Sequence, residues 1–343
     1  MTTTAAVTGR RRAPVGAAPA IVLAAVLVAV ATVASLKVGS RPLSWGELHD
    51  GLRHFAGRPT DIVVRHVRVP RTLAGLIAGA CLGLAGCVAQ GVTRNPLAGP
   101  GTLGVTAGAA GAMIAAMSLT GLGALGGYVW FGFAGGALAT VAVYAIGTAG
   151  RDGATPVKLA LAGAAVSALI TSAVSAVVLL DRDLFARFRY WVLGSLARAD
   201  LATVGQAVPF AVVGVLLAVA LVRRLDAVAL GDDTAQALGA RPGTTRALGL
   251  AALVVLAGTA TAVAGPVAFV GLVAPHAARA LVGTAHRRVL VLAALLAAGV
   301  VLLADVLGRV AIAPEEVQIG VTAAVVGGPF FLHLVRTRRV AAL

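Results

Sequence analysis

Charge is the scarcest property of this 343-residue chain. Only 12% of its residues are charged, against about 25% in soluble domains. Lysine occurs twice, at Lys37 and Lys158, and neither follows a glycine. A Walker-type phosphate loop, which needs a Gly-Lys pair, is therefore excluded. The two cysteines, Cys81 and Cys87, stand six positions apart in one apolar run. Six positions turn a helix through about 600°, so the thiols point to different faces and read as small apolar fillers. The six histidines are scattered, no HExxH occurs, and no metal-ligand spacing is present. No Ser/His/Asp set can be assembled, so an enzyme is not expected. Aromatics make up 4% and do not interleave with the basic residues. The net charge of +15 therefore points to membrane topology and not to nucleic acid.

What is present is apolar sequence. The chain is 59% hydrophobic with 43 glycines, the composition of a polytopic helical membrane protein. A spanning helix needs about 20 apolar residues. On that measure the sequence predicts an all-α protein of about ten spans. The first is Ala13–Leu36, read as a retained span and not a cleaved leader, and the second is Thr72 to about Val92. Two more lie in the tract from Asn95 to Gly150, followed by Leu159–Leu180 and Leu201–Val222. The last four are Ala247–Ala264, Val267–Leu281, Val289–Ala304 and Val317 to about Val335.

An even count places both termini on one side. With the termini cytoplasmic, the inner segments hold 16 of the 28 Lys/Arg and the outer loops 12, which favours that orientation. Residues 1–12 are then a cytoplasmic tail, 37–71 an extracytoplasmic loop and 223–246 a cytoplasmic loop, all within one membrane domain covering 1–343. The 37–71 loop reads as irregular and carries seven basic residues against the topological bias. Such a loop invites a partner.

The span interiors between about Ala13 and Leu303 contain no Asp or Glu. Ion-coupled carriers usually place ionisable groups there, so the energy for any transport arrives from outside the chain. Asp305 and Arg309 form an expected i,i+4 ion pair near a membrane edge. Gly75, Gly79 and Gly83 make a row on one helical face, suited to close packing. Arg68-Val-Pro-Arg71 reads equally as headgroup anchoring or as a docking site for carboxylates. Arg94-Asn95-Pro96-Leu97-Ala98-Gly99-Pro100 is a polar turn between spans. Leu225–Gly239 reads as two short helices stopped by Gly231 and Gly239, with Asp232, Asp233 and Thr234 as N-cap residues of the second.

The segment RVPRTLAGLIAGACLGLAGCVAQGVTRNPLAGPGTLGVTAGAAGA (68–112) resembles the signature of permease subunits of the iron–siderophore, haem and cobalamin ABC importers. Tyr190-Trp191 with Gly194-Ser195 follow, then LGDDTAQALGA (230–240), GPVAFVGLVAPHAARALVG (265–283), ADVLGR (304–309) and QIGVTAAVVGGPFF (318–331). The resemblance covers nearly the whole chain from about residue 40.

It implies a multi-pass plasma-membrane permease that pairs with a second copy or a similar permease around a central pathway. Two cytoplasmic ATPase subunits and an extracytoplasmic substrate-binding protein complete the importer. ATP and magnesium are used by those ATPases, and no cofactor or metal is bound by this chain. Arg68, Arg71 and Arg309 match arginines that receive acidic residues of the binding protein. Leu225, Asp226, Leu230, Gly231, Asp232, Asp233, Ala237, Leu238, Gly239 and Arg241 match coupling helices seated in the ATPase cleft. The fifth span matches the pathway-lining helix. Thr155, Pro156 and Val157 fall at the expected cytoplasmic gate, although Pro156 and Val157 depart from the small polar residues familiar there. Asn95 and Pro96 lie in an inner turn near the ATPase side.

Overall fold

The structure, a computed structural model, describes residues 16–39, 41–120, 125–149, 156–180 and 193–336. Among the described residues all regular structure is helical, apart from one isolated bridge between Ile312 and Glu315. In chain order come α1 (Ala17–Lys37), α2 (Trp45–Arg53), α3 (Pro59–Thr93), α4 (Val105–Thr120), α5 (Leu125–Thr148) and α6 (Pro156–Leu180). The second half holds α7 (Leu201–Ala229), α8 (Asp232–Ala237), α9 (Pro242–Ala264), α10 (Val270–Val282), α11 (His286–Ala311) and α12 (Ile319–Arg336).

Seven of these, α1, α3, α5, α6, α7, α9 and α11, are long and apolar enough to cross a bilayer. The other three apolar helices, α4, α10 and α12, are shorter. The 13 residues of α10 rise about 20 Å, less than the ~30 Å of a hydrocarbon core. Gly265 and Pro266 break the chain between α9 and α10, as their residue types demand.

Two segments depart from the expected organisation. The 37–71 stretch is largely helical. Ser44 and Glu47 form a reciprocal capping box that starts α2, and Pro59 then opens α3 at a first-turn position that tolerates its missing N–H. The helix beginning at Pro59 runs on through Pro70, with Val63–Arg68 opening into a wide π turn. That turn absorbs the donor that Pro70 lacks and the ring clash it brings. The second departure is in the 223–246 loop. Its expected first short helix is the end of α7, because nothing between Val222 and Ala229 breaks the helix while Leu225 and Val228 keep a buried face. Only α8 is separate, and its N-cap is Gly231 with no side-chain cap, not an aspartate.

The core lies where α3 packs against α9, α10 and α11. Glycine sets that contact. A Cβ at Gly79 would stand 2.5 Å from the Ala298 Cα, at Gly83 2.4 Å from the Ala293 carbonyl oxygen, and at Gly86 1.6 Å from the Gly271 carbonyl oxygen. The glycine row is therefore packing within the chain. Cys81 and Cys87 are buried free thiols in the same interface. By contrast α1, α6 and α7 turn Leu23, Leu161, Leu169, Leu216 and Val219 outward, as lipid-facing surfaces do. Asp200 caps α7 by accepting the Thr203 amide at 2.7 Å. That bond holds its carboxyl below the usual carboxylate range.

Because a backbone carbonyl cannot swing aside, Gly86→Val forces α3 and α10 apart, an overpacking cost of at least 1–3 kcal/mol. The expected result is a large fall in folded, monodisperse protein in detergent. Gly205→Val, with no atom within 4 Å of its new Cβ, should leave the yield unchanged. Equal yields for the two variants would overturn this reading of the interface.

Candidate functional site

Two clusters of polar residues stand at opposite ends of the α3–α11 pair. At the first, Arg71 of α3 donates from Nε and Nη2 to Asp305 of α11 at 2.8–3.1 Å, and from Nη1 to Glu316 at 2.8 Å. Arg309, one turn beyond Asp305, pairs with the same carboxylate at 2.9 Å. It also donates to the carbonyl oxygens of Ser35 and Val38 and to Ser35 Oγ. Ser35 Oγ in turn bonds Thr72 Oγ1 at 2.8 Å. Arg68 donates to the carbonyl oxygens of Leu36, Val38 and Arg41. The end of α1, the first turns of α3 and the end of α11 are thus tied into one network.

The sequence-predicted trio of Arg68, Arg71 and Arg309 is brought together, but turned inward. Each is no more than 6% exposed. Arg71 and Arg309 share Asp305, whereas Arg68 meets backbone carbonyls alone among the described residues. Arg68 is therefore the member of the trio with no direct ion pair among the described residues, Glu316 and Asp305 acting on it only at longer range. A cavity of about 240 Å³ is lined there by Arg41, Arg68, Arg71, Arg309 and Glu316, with positive charge in excess. Two participants were not anticipated: Glu316, and Asp305 as the partner of Arg71 as well as Arg309. Their signal was rarity, since acids are almost absent from the apolar sequence around them.

The second cluster surrounds the segment predicted for coupling. Leu225 is fully buried. Asp226 accepts both the backbone N–H and Nδ1 of His286 at 3.0 and 2.7 Å, closing the first turn of α11. Gly231 and Gly239 bracket α8 with φ values of 108° and 80°, conformations that side chains resist. Asp232 accepts Arg246 Nη2 at 2.9 Å on both oxygens and Arg94 Nη1 at 3.4 Å. Asp233, Ala237 and Arg241 are exposed, and Leu230 and Leu238 are 64% and 65% exposed. Beside them Arg223, Arg224, Leu238 and Arg241 line an open recess of about 440 Å³. Two bare leucines and three arginines on one short helix and its flanks make a surface suited to a protein partner.

Of the expected gate, Thr155 lies outside the described residues, as do Tyr190 and Trp191. Pro156 opens α6 and Val157 is exposed. In the inner turn, Arg94 ends α3 in the left-handed region, and Asn95 Oδ1 accepts the Leu97 amide ahead of Pro96. No group of three or more metal-ligating side chains occurs among the described residues.

The FecCD transport family matches residues 27–337. The chain belongs to that family. It is 39% identical over 312 residues to the ferric enterobactin transport system permease protein FepD of Escherichia coli K12, covering 91% of this chain and 93% of the relative. It is 35% identical over 326 residues to the iron(3+)-hydroxamate import system permease protein FhuB of Bacillus subtilis 168, covering 94% and 84%. A solved structure of a metal-chelate type ABC transporter in an inward-facing conformation superposes with a TM-score of 0.79 at 27% identity, covering 93% of this chain and 99% of that one. Both polar clusters fall within the matched residues, and the chain is a transport permease.

Removing Arg71 leaves buried Asp305 with Arg309 alone and takes the arginine partner from the partly exposed Glu316. Arg71→Met should therefore destabilise the protein by about 3 kcal/mol, read as a lowered denaturation midpoint in detergent. Arg71→Met with Asp305→Asn should cost less than the sum of the two single changes. Strict additivity would show that the pair contributes nothing jointly.

Proposed function

We propose that the chain is the membrane permease of an ATP-driven importer that carries ferric siderophore complexes inward by alternating access. The observation that carries this is family membership across nine-tenths of the chain, with relatives whose names specify ferric enterobactin and iron(3+)-hydroxamate. In this reading the chain makes ten membrane crossings with both termini cytoplasmic, and it works as a pair with a second copy or a similar permease. Two cytoplasmic ATPases bind at α8 and its flanks, and they use ATP and magnesium. Leu230 and Leu238 supply the apolar contact, while Gly231 and Gly239 fix the angle at which α8 is offered. Closure of the ATPases displaces α8, and the helices about α6, with Thr155, Pro156 and Val157 at its inner end, open and shut the pathway. A substrate-binding protein delivers cargo at the opposite face, where the Arg68, Arg71 and Arg309 cluster receives its acidic residues.

Cobalamin or haem as cargo is the alternative within the same class. An ion-coupled carrier acting alone is disfavoured by a physical observation. The buried carboxylates among the described residues are Asp61 and Asp305, and each is held by arginine, Asp61 by Arg58 and Asp305 by Arg71 and Arg309. Neither is free to take up a coupling ion.

In proteoliposomes holding the permease, its ATPases and the binding protein, ferric siderophore uptake should require ATP and every component. Uptake driven by a proton gradient without the ATPases, or ATP hydrolysis by the purified chain alone, would overturn the proposal. Docking is tested with Arg68→Gln, which removes the charge but keeps an N–H donor for the carbonyl oxygens of Leu36, Val38 and Arg41. It should sharply reduce binding-protein-dependent uptake, by more than any accompanying fall in the denaturation midpoint explains. Uptake that survives, or that is lost only in step with stability, rejects the docking role.

A further inference from the structure

The turn from Arg94 to Gly104 joins α3 to α4 and is given no role in the reading above. It is braced internally. Asn95 N–H donates to the Gln90 carbonyl oxygen, and Asn95 Oδ1 accepts the Leu97 amide at 2.9 Å. Thr102 Oγ1 accepts the Gly99 amide and donates back to the Gly99 carbonyl oxygen, at 2.8 and 2.9 Å. Leu103 N–H returns to Gly99 and Val105 N–H to Pro100. With Pro96 and Pro100 fixing φ at two further points, these bonds brace a segment that Gly99, Gly101 and Gly104 would otherwise leave soft.

This segment touches a different helix on each side. On one side Arg94 Nη1 reaches Asp232, the first residue of α8, which Arg246 holds from the first turn of α9. On the other side it meets α6 backbone to backbone. A Cβ at Gly163 would lie 1.9 Å from the Thr102 carbonyl oxygen, so only glycine lets α6 sit there. Next to that contact, Asn95, Leu97 and Thr102 face Val157, Leu159 and Leu161 across a cavity of about 330 Å³. A second cavity, of about 490 Å³, is bounded by Arg94, Arg246, Tyr144 and Leu159. The inner end of α6 is thus flanked by open space and pressed against the protein body at the turn.

We propose that the Arg94–Gly104 turn is the rigid link through which displacement of α8 reaches α6, with Arg94 as its positioning residue at α8 and Thr102 as its brace. The proposal rests on the reading given above, in which α8 meets the ATPase and α6 lines the pathway. The Arg94–Asp232 pair is about half exposed and its static worth is below about 1 kcal/mol. Its loss therefore leaves the fold intact and acts on transmission.

The test uses the complete importer in proteoliposomes, comparing cargo moved per ATP hydrolysed. The double variant Arg94→Gln/Thr102→Val should co-purify with the ATPases and hydrolyse ATP at the parent rate, while cargo per ATP falls about five-fold or more. Arg94→Lys, which keeps the charge, should restore most of the ratio. An unchanged ratio in the double variant overturns the link, and so does loss of ATPase co-purification, which would make the turn part of the docking surface. A second measurement does not depend on those variants. Spin labels at the exposed Leu97 and Leu161 of otherwise unaltered protein should keep one separation through the ATP cycle, and a change in that separation overturns the link. The coupling reading has its own control: if Leu238→Glu leaves ATPase assembly untouched, the assignment of α8 fails, whatever the turn does.

Discussion

The near-contact of three backbones, α3 with α11 and α3 with α10, is the constraint on which the rest of the molecule depends. In a bilayer, apolar side chains gain little by leaving lipid for one another. Association rests on van der Waals fit and on short interhelical distance. Gly79 and Gly83 let α3 reach the α11 backbone, and Gly86 lets it reach Gly271. No side chain intervenes at these points, so little can shear. The pair behaves as a rod, and each end of the rod carries one of the polar clusters: Arg71 with Asp305 at one end, Arg94 and His286 at the other.

The Arg71–Asp305–Arg309–Glu316 network follows from that rod. Burying ions is costly unless every partner is met. Here the carboxylates, the Ser35 and Val38 carbonyl oxygens and Ser35 Oγ meet Arg71 and Arg309. The network pins the loosely packed α1, whose sides are largely exposed, to the end of the rod. Arg68 is different. Its hydrogen bonds go to carbonyl dipoles, which orient a guanidinium without neutralising it. Among the described residues Arg68 is the one of the three arginines with no carboxylate at ion-pair distance, whereas Arg71 and Arg309 both engage Asp305.

The apolar runs were legible in sequence because membrane solvent writes them as long uncharged tracts. Helix α6, expected from Leu159, is helical from Pro156 through Leu180, where the described stretch stops. The 37–71 stretch was not legible as helix, because its local signals sit amid polar sequence with little periodicity. The capping box at Ser44 and Glu47 and the proline at 59 were there to be read. The expected loop extends to residue 71, whereas the π turn lets the helix run on past Pro70. The arginines around Asp305 were found as a group, yet not their orientation. Partners such as Asp305 and Glu316 lie more than 230 positions from Arg71, and no local pattern connects them. The Asp226–His286 and Arg94–Asp232–Arg246 contacts are hidden for the same reason.

The distribution of burial argues for where motion resides. Helices α3, α9 and α11 have most of their apolar length covered, whereas α6 has about a tenth of its apolar length covered within the chain. A helix with so few neighbours is held by few contacts and can be displaced at low cost. The covered helices, whose backbones touch, cannot follow without losing dense packing. This burial separates a densely packed α3–α9–α11 body from a sparsely covered α6. In the proposed cycle, energy entering at α8 crosses from that body to α6. The glycine contact at Gly163 is a backbone contact between α6 and the segment that closes α3. At Gly163 that contact is between peptide groups, whereas at α8 the same turn is held by the half-exposed Arg94 side chain, so compliance in the proposed link resides at the α8 end.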